Sequence, residues 1–449
     1  MIWPTVGSVP STTERRRENT VSPNNEHGGS PGSSENPLTW LQAPRDGVPS
    51  VVADPAALRS TVRAFATGRG PVAVDAERAS GHRYGQRAFL VQLRREGAGT
   101  ALVDPTALPD LSELGEAIVP AEWVLHAASQ DLPCLAELGL RPRTLFDTEL
   151  GSRLAGFARV GLAAVAEQLL GIGLAKEHSA VDWSTRPLPE PWLLYAALDV
   201  EILVDLRDAL AEELTRQGKL AWAQQEFAAV AAAPPPPPRP DPWRRTSGLH
   251  RIRTRRQMAA VRALWLARDG LAREQDITPG RLLPDTSIVE ASLAMPARQA
   301  DLTAMTAFTG RGSRRHAAVW FAALQEARDL PDSHLPPQTL PTEGPPPARV
   351  WSDKDPQAAE RLTRCRGAVR EISERHRLPV ENLLTPDTVR RLAWDPPGSG
   401  TEAVGRFLSE RGARPWQVEL AAARLARALA DPAPSPGAPD GGGHGGTDR

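Results

Sequence analysis

Several residue types are scarce in this chain, and each scarcity narrows what it can be. Only 2 cysteines occur in 449 residues, Cys134 and Cys365, far apart in stretches of different character. They support neither a disulfide framework nor a thiolate metal site, and they fit a reducing compartment. No apolar run approaches the ~18 residues of a membrane span. The start, Met-Ile-Trp-Pro, turns polar without the basic-then-apolar order of a signal peptide. The expectation is a cytoplasmic protein with no membrane role. Tyrosine occurs only 2 times, so where each one falls carries weight. Charge is nearly balanced, with 53 basic and 54 acidic residues and a net −1. That balance excludes a uniformly basic nucleic-acid binder and an acidic disordered chain, but not segregated charge.

Proline and glycine are plentiful, 44 and 36 residues, and both cluster. Length suggests two to four domains, and the clusters supply the boundaries. Residues 1–48 lack an apolar period and read as a disordered tail. From 49 to 230, strand-length runs alternate with helical ones. The strands are Pro71–Asp75, Ala88–Gln92, Thr100–Asp104 and Glu122–His126; the helices include Leu111–Ala117, Asp131–Leu138, Leu162–Leu170 and Trp192–Leu214. Such alternation marks an α/β sheet domain. Residues 231–242 carry five consecutive prolines, read as a stiff polyproline spacer. Residues 243–329 are helical, 330–349 form a second Pro-rich linker, 350–431 are helical again, and 432–449 are a Gly/Pro/Asp tail. Leu282-Leu283-Pro284-Asp285-Thr286 returns as Leu383-Leu384-Thr385-Pro386-Asp387-Thr388, which suggests that the two helical blocks are a repeat.

The chemistry lies in carboxylates. In Asp75-Ala76-Glu77, which closes a strand, positions i and i+2 share a face. Like charges held side by side repel unless a cation lies between them, and oxygen donors suit Mg²⁺ or Mn²⁺. A second copy, Asp147-Thr148-Glu149, shows that the pair alone is a weak signal. In Tyr195-Ala-Ala-Leu-Asp199 the helical i, i+4 spacing sets a phenol beside a carboxylate. In His126-Ala-Ala-Ser-Gln130-Asp131 a strand ends and Asp131 opens a helix, a place the helix dipole favours in any case. No Gly-rich phosphate loop or Cys/His cluster competes with this set.

Taken in order, Asp-x-Glu, Asp and Tyr-x-x-x-Asp resemble the tyrosine-bearing branch of the DEDD 3′–5′ exonucleases. The words Val-Ala-Val-Asp75-Ala-Glu77, His126-Ala-Ala-Ser-Gln-Asp131-Leu, Phe146-Asp-Thr-Glu-Leu150 and Asp182-Trp-Ser-Thr-Arg-Pro-Leu188 resemble ribonuclease D. The resemblance covers about 50–230. It implies a ribonuclease H-like α/β fold, a mixed sheet flanked by helices, followed by two all-α helical bundles. It also implies two-metal hydrolysis, with two divalent ions, Mg²⁺ or Mn²⁺, held by Asp75, Glu77, Asp131 and Asp199 and the attacking water oriented by Tyr195. Asp147 is then structural support. Gln92, His126, Gln130, Trp183 and Arg186 are the substrate contacts it suggests; for Trp183 and Arg186, a packed loop before the last helix remains the other reading.

Between 243 and 329 there are 15 arginines against 8 acidic residues, a net +7. Arg244, Arg245, Arg251, Arg253, Arg255 and Arg256 open that block and suit phosphates, although a solvated helix face would look the same. The run from Trp265 to Asp285 resembles an HRDC domain, whereas 350–431, at +2, is similar in outline only. The functional expectation is a monomeric exoribonuclease that trims 3′ ends of structured RNA such as tRNA precursors and releases nucleoside 5′-monophosphates. A DNA exonuclease of the same chemistry and a catalytically silent RNA-binding scaffold are the rivals.

Overall fold

The computed structural model describes residues 38–174, 180–235, 237–340, 344–398 and 400–430. The expected tails at 1–37 and 432–449 lie outside these residues. Residues 38–48, read from sequence as tail, are built into the fold. Strand β1 (Thr39–Trp40) pairs in parallel with a short later strand, Ile172–Gly173, and the Trp40 ring lies flat on Gly173, where any Cβ would stand 2.9 Å from it. Arg45 then pairs with Glu201 and Asp205. Asp46 also accepts from Arg94. A few scattered side chains do this anchoring, too little pattern for a periodicity argument to detect.

The central sheet takes shape in chain order. β2 (Val51–Val52) and helix α1 (Pro55–Thr67), capped by Asp54, lead into β3 (Arg69–Arg78), β4 (Ala88–Glu96) and β5 (Gly99–Val103). Helix α2 (Ser112–Ile118), β6 (Glu122–Leu125), α3 (Leu132–Glu137) and β7 (Thr144–Asp147) complete it. The order is β2-β5-β4-β3-β6-β7, antiparallel in the β3–β4–β5 meander and parallel at β3–β6, β6–β7 and β2–β5. All four expected strands are present. Alternation along β3 sends Val72, Val74 and Ala76 into one core with Leu93, Trp123 and Leu125. Ala73 faces the other way, and period two puts Asp75 and Glu77 on its side.

Helices α4 (Thr148–Ala155), α5 (Leu162–Leu170), the short strand β8 (Ile172–Gly173), α6 (Glu190–Glu201), α7 (Leu203–Arg216) and α8 (Leu220–Ala231) cover that second face. The expected single helix Trp192–Leu214 is broken at Ile202. Helix α6 lies against β3, β4 and β5, and its buried Ala196 and Ala197 let it approach closely.

The first helical block contains α9 (Arg255–Gln275), α10 (Pro279–Leu282), α11 (Asp285–Ala294), α12 (Gln299–Ala304), α13 (Arg311–Arg315) and α14 (Ala317–Asp329) around its own core. It is docked as well as tethered. In the β3–β4 loop, Tyr84 Oη donates to Asp269 at 3.1 Å and Arg87 pairs with Asp276 at 2.7 Å. Thr278 N donates to the His82 carbonyl. The second Pro-rich linker is held too: the Pro337 carbonyl accepts from Arg244 at 2.8 Å, and the Leu335 carbonyl from Arg255.

The second block comprises α15 (Trp351–Lys354), α16 (Pro356–His376), α17 (Val380–Leu383), α18 (Pro386–Trp394), α19 (Thr401–Glu410) and α20 (Pro415–Ala430). Helices α9 and α16 both have 21 residues, both end in a left-handed residue, and each precedes a 4-residue helix and a buried Leu-Leu pair. The repeat seen in sequence is thus present in the order of elements. Burial separates the copies: the second block shares one continuous core with α4, α7 and α8.

Candidate active site

Asp75 and Glu77 reach the site from β3, and Asp199 from α6. Each can bring a carboxylate oxygen within 4.8 Å of the other two. Tyr195, one turn before Asp199, donates its hydroxyl to that carboxylate. Asp131 enters from the turn after β6, the parallel neighbour of β3, and its side chain is almost fully buried. The site therefore gathers where β3, β6 and α6 meet.

Burial dominates the electrostatics. It raises the carboxyl groups of Asp75, Asp131 and Asp199 above the usual carboxylate range. Glu77 is pushed up to about 10, first by burial and then by Asp75, Asp199 and Asp131. Burial also raises the Tyr195 phenol, with Asp199 the next cause, so the hydroxyl keeps its proton. Hard oxygen donors crowded together in this way fit a divalent cation, which would offset the desolvation and mutual repulsion.

The turn that presents Asp131 is held from below. Asp147 is buried and accepts four backbone N–H groups, from Ala127, Ala128, Glu149 and Leu150. It caps α4 and at the same time fixes Ala127 in a left-handed conformation, φ 61°. A non-glycine residue there is strained and needs such support. The second Asp-x-Glu word thus has a structural place in the fold.

The five residues expected to touch substrate are placed very differently. Gln92 pairs across the sheet with Asp75 and has no exposed surface, so a substrate cannot reach it. Trp183 is likewise 0% exposed, packed 5.6 Å from Trp192 and 6.4 Å from Tyr195, and has no free face for a base. Arg186 uses all five of its N–H donors: two on Asp104, and the others on the carbonyls of Phe89, Trp183 and Thr185. It clamps the loop beneath Tyr195 and has no donor left for a phosphate. The His126 ring lies 2.9 Å from Thr148 Oγ1, and burial pushes its pKa down to about 4, which keeps it neutral. Gln130 is exposed, next to Asp131, and of these five it is the one whose side chain is both exposed and not committed to the loop contacts that hold Arg186.

One site residue escapes the sequence reading. Arg78, next to Glu77, pairs with Asp131 at 3.1 Å. Strict alternation would turn it away from the carboxylates. The β3–β4 register slips between Glu77 and Arg78, and irregularities of this kind re-aim side chains at strand ends.

Comparison with known proteins agrees with this geometry. Residues 49–215 match a family described as 3′–5′ exonuclease, 257–324 match the HRDC domain, and 344–429 match a 3′ to 5′ exonuclease C-terminal domain. The last of these assigns the second block to the exonuclease, where its shared core also puts it. Ribonuclease D of Granulibacter bethesdensis is 34% identical over 357 residues, covering 76% of this chain and 84% of that protein. A crystal structure of a protein from Bifidobacterium adolescentis is 42% identical, with a TM-score of 0.80, and covers 87% of this chain and 99% of that one. Escherichia coli RNase D, described as an exoribonuclease involved in structured RNA processing, is 25% identical with a TM-score of 0.61, over 85% and 98% of the two chains. Among the described residues no helix is long and apolar enough to cross a membrane. The chain belongs to the ribonuclease D family and is a 3′–5′ exonuclease.

Proposed function

We propose that the chain shortens structured RNA, tRNA precursors among them, from the 3′ end and releases nucleoside 5′-monophosphates. The observation that carries this reading is the convergence of Asp75, Glu77 and Asp199, with Tyr195 bonded to Asp199. The Escherichia coli relative's role in structured RNA supports the choice of polymer. In this reading the enzyme acts as a cytoplasmic monomer, a location that its 2 buried free cysteines suit.

The four carboxylates would hold two divalent ions, Mg²⁺ or Mn²⁺. Bound ions supply Lewis-acid charge for the attacking water and for the departing 3′ oxygen. The Tyr195 hydroxyl holds and orients that water beside Asp199. The carboxylates are partly buried, and the lowered local dielectric strengthens these contacts. Trp183 and Arg186 hold Tyr195 in place from beneath.

Matched 3′-labelled RNA and DNA oligomers, assayed with Mg²⁺ or Mn²⁺ against a chelator control, test the reading. Metal-dependent release of mononucleotides from RNA is the expected result. Release from DNA alone would favour the DNA exonuclease, and no release from either polymer would leave only the scaffold reading.

The surface that holds the RNA body is narrower than the sequence suggests. Of the six arginines that open the block, Arg244, Arg251, Arg255 and Arg256 are occupied by internal ion pairs or by linker carbonyls, while Arg245 and Arg253 are exposed and form no ion pair among the described residues. Arg311, Arg314 and Arg315 on α13 are exposed and form no ion pair among the described residues. Helix α13 rests on α10 through Gly312, where a Cβ would lie 2.4 Å from the Arg281 carbonyl. Arg281 in turn bonds His82 in the β3–β4 loop of the catalytic domain. Replacing all three α13 arginines by alanine should weaken RNA binding across sequences and flatten its log–log salt dependence by about 2 units. Binding measured between 50 and ~200 mM salt reads that slope.

A further inference from the structure

The four carboxylates are not equivalent. Asp75, Glu77 and Asp199 converge on one point, whereas Asp131 does not belong to that group among the described residues. Asp131 Oδ1 is engaged by Arg78 at 3.1 Å, and a second N–H of the same guanidinium donates to the Gln130 carbonyl at 2.9 Å. Bonds to two successive residues fix the guanidinium at the start of α3. Arg78 is also the cation whose charge reaches Asp75, Glu77 and Asp131. Its side chain is 25% exposed against 7% for Asp131, so it stands on the solvent side of the pair, where a substrate would enter.

Resting on the metal-site reading above, we propose that Arg78 is a positioning residue that reserves Asp131 as its standing counter-ion. A first divalent ion then binds the Asp75–Glu77–Asp199 trio unopposed. A second ion drawing on Asp131 meets the Arg78 charge and enters together with a substrate phosphate.

Charge balance gives the reason. Four ionised carboxylates are matched by two divalent ions, so without Arg78 a doubly loaded site is neutral before substrate arrives. With Arg78 the doubly loaded site carries one surplus positive charge, and one phosphodiester cancels it. The arginine thus couples the second ion to the phosphate. An arginine suits the task because its planar fork can serve a carboxylate and then a phosphate oxygen in the same way.

The experiment counts Mn²⁺ bound per chain, by calorimetry and by the signal of free Mn²⁺ in electron paramagnetic resonance. It is run with and without an oligoribonucleotide whose 3′-terminal linkage is a phosphorothioate. The unaltered protein should bind one ion alone and two with the oligonucleotide. Arg78→Gln should bind two ions alone, the second at least about tenfold tighter than in the unaltered protein, with KM for RNA raised. Arg78→Lys, which keeps the charge, should stay at one. Two ions bound by the unaltered protein without oligonucleotide would overturn the proposal, whatever the variants do. One ion bound by an Arg78→Gln protein that melts cooperatively, or two by Arg78→Lys, would also overturn it. No Mn²⁺ bound by any of the three proteins would overturn the metal-site reading itself, and this inference with it.

Discussion

Asp75→Asn protein is expected to release nucleotides from an RNA 3′ end more slowly by about 10²–10³-fold or more, yet to melt at a higher temperature in chelator. Both effects have one cause. The carboxylates of Asp75, Glu77 and Asp199 converge in a partly buried site with Asp131 close by, and desolvation is the largest influence on each. An amide at position 75 removes one of the crowded charges and relieves the other three. It also removes a hard anionic donor from the trio that would hold a cation. The pH dependence has a definite sign. Glu77 titrates near 4.5 when unfolded and about 10 in the fold. A raised folded pKa contributes stability that is complete below about 4.5 and is lost as pH rises toward about 10. In chelator the unaltered protein should therefore lose melting temperature between pH 5 and 9, with the slope reduced in Asp75→Asn. Saturating Mn²⁺ should reduce the slope in the unaltered protein, because the ion replaces the protons. Thermal melts across pH, with and without Mn²⁺, read all of this. A chelator-treated Asp75→Asn protein that melts below the unaltered one would count against a site under electrostatic strain.

Legibility followed the range of the interactions. The four strands and the i, i+2 and i, i+4 carboxylate spacings are local periodicities, and β3 and α6 realise them. The Asp131 turn was readable because its motif is local as well. Arg78 was hidden by a register slip, which depends on the partner strand and leaves no mark on β3 itself. For Trp183 and Arg186 the sequence left two readings open, substrate contact or packed loop, and the fold realises the packed loop. Whether a ring is a platform or a wedge depends on Trp192, Tyr195 and Asp104, and these meet it only in three dimensions. The basic run opening the first helical block was legible only in part, because composition does not show that the fold has already used four of its six guanidiniums.

The helical repeat was legible too, but its two copies have different allegiances, and Trp416→Ala is the variant that exposes this. Trp416 is 1% exposed, stacks on Trp222 of α8 at 5.1 Å, and donates Nε1 to Glu226 of α8 at 3.0 Å. Arg414 pairs with the same Glu226, and Gln225 accepts from the Trp416 backbone N–H. Nearby, Gly156 approaches the Arg377 carbonyl so closely that a Cβ would stand 2.6 Å from it. Removing the indole should cost about 3–5 kcal/mol, and it leaves Glu226 buried with one partner fewer. Helix α8 packs on β7 and α4, at whose junction Asp147 holds the Asp131 turn, so the loss should propagate to catalysis as well as to stability. The expected result is one cooperative transition at a lower temperature, with the catalytic domain and 350–430 unfolding together. Trp416→Phe should recover most of the packing but not the hydrogen bond. The corresponding change in the first block, Trp320→Ala, removes an equally buried ring whose Nε1 donates within its own core, to the Ser313 carbonyl. It should melt that block first and leave cleavage of short, unstructured RNA intact. If Trp416→Ala instead gave two separate transitions with nucleotide release unchanged, the second block would be an appendage like the first; the continuous core from Phe146 through Phe227 to Trp416 predicts that it is part of the enzyme.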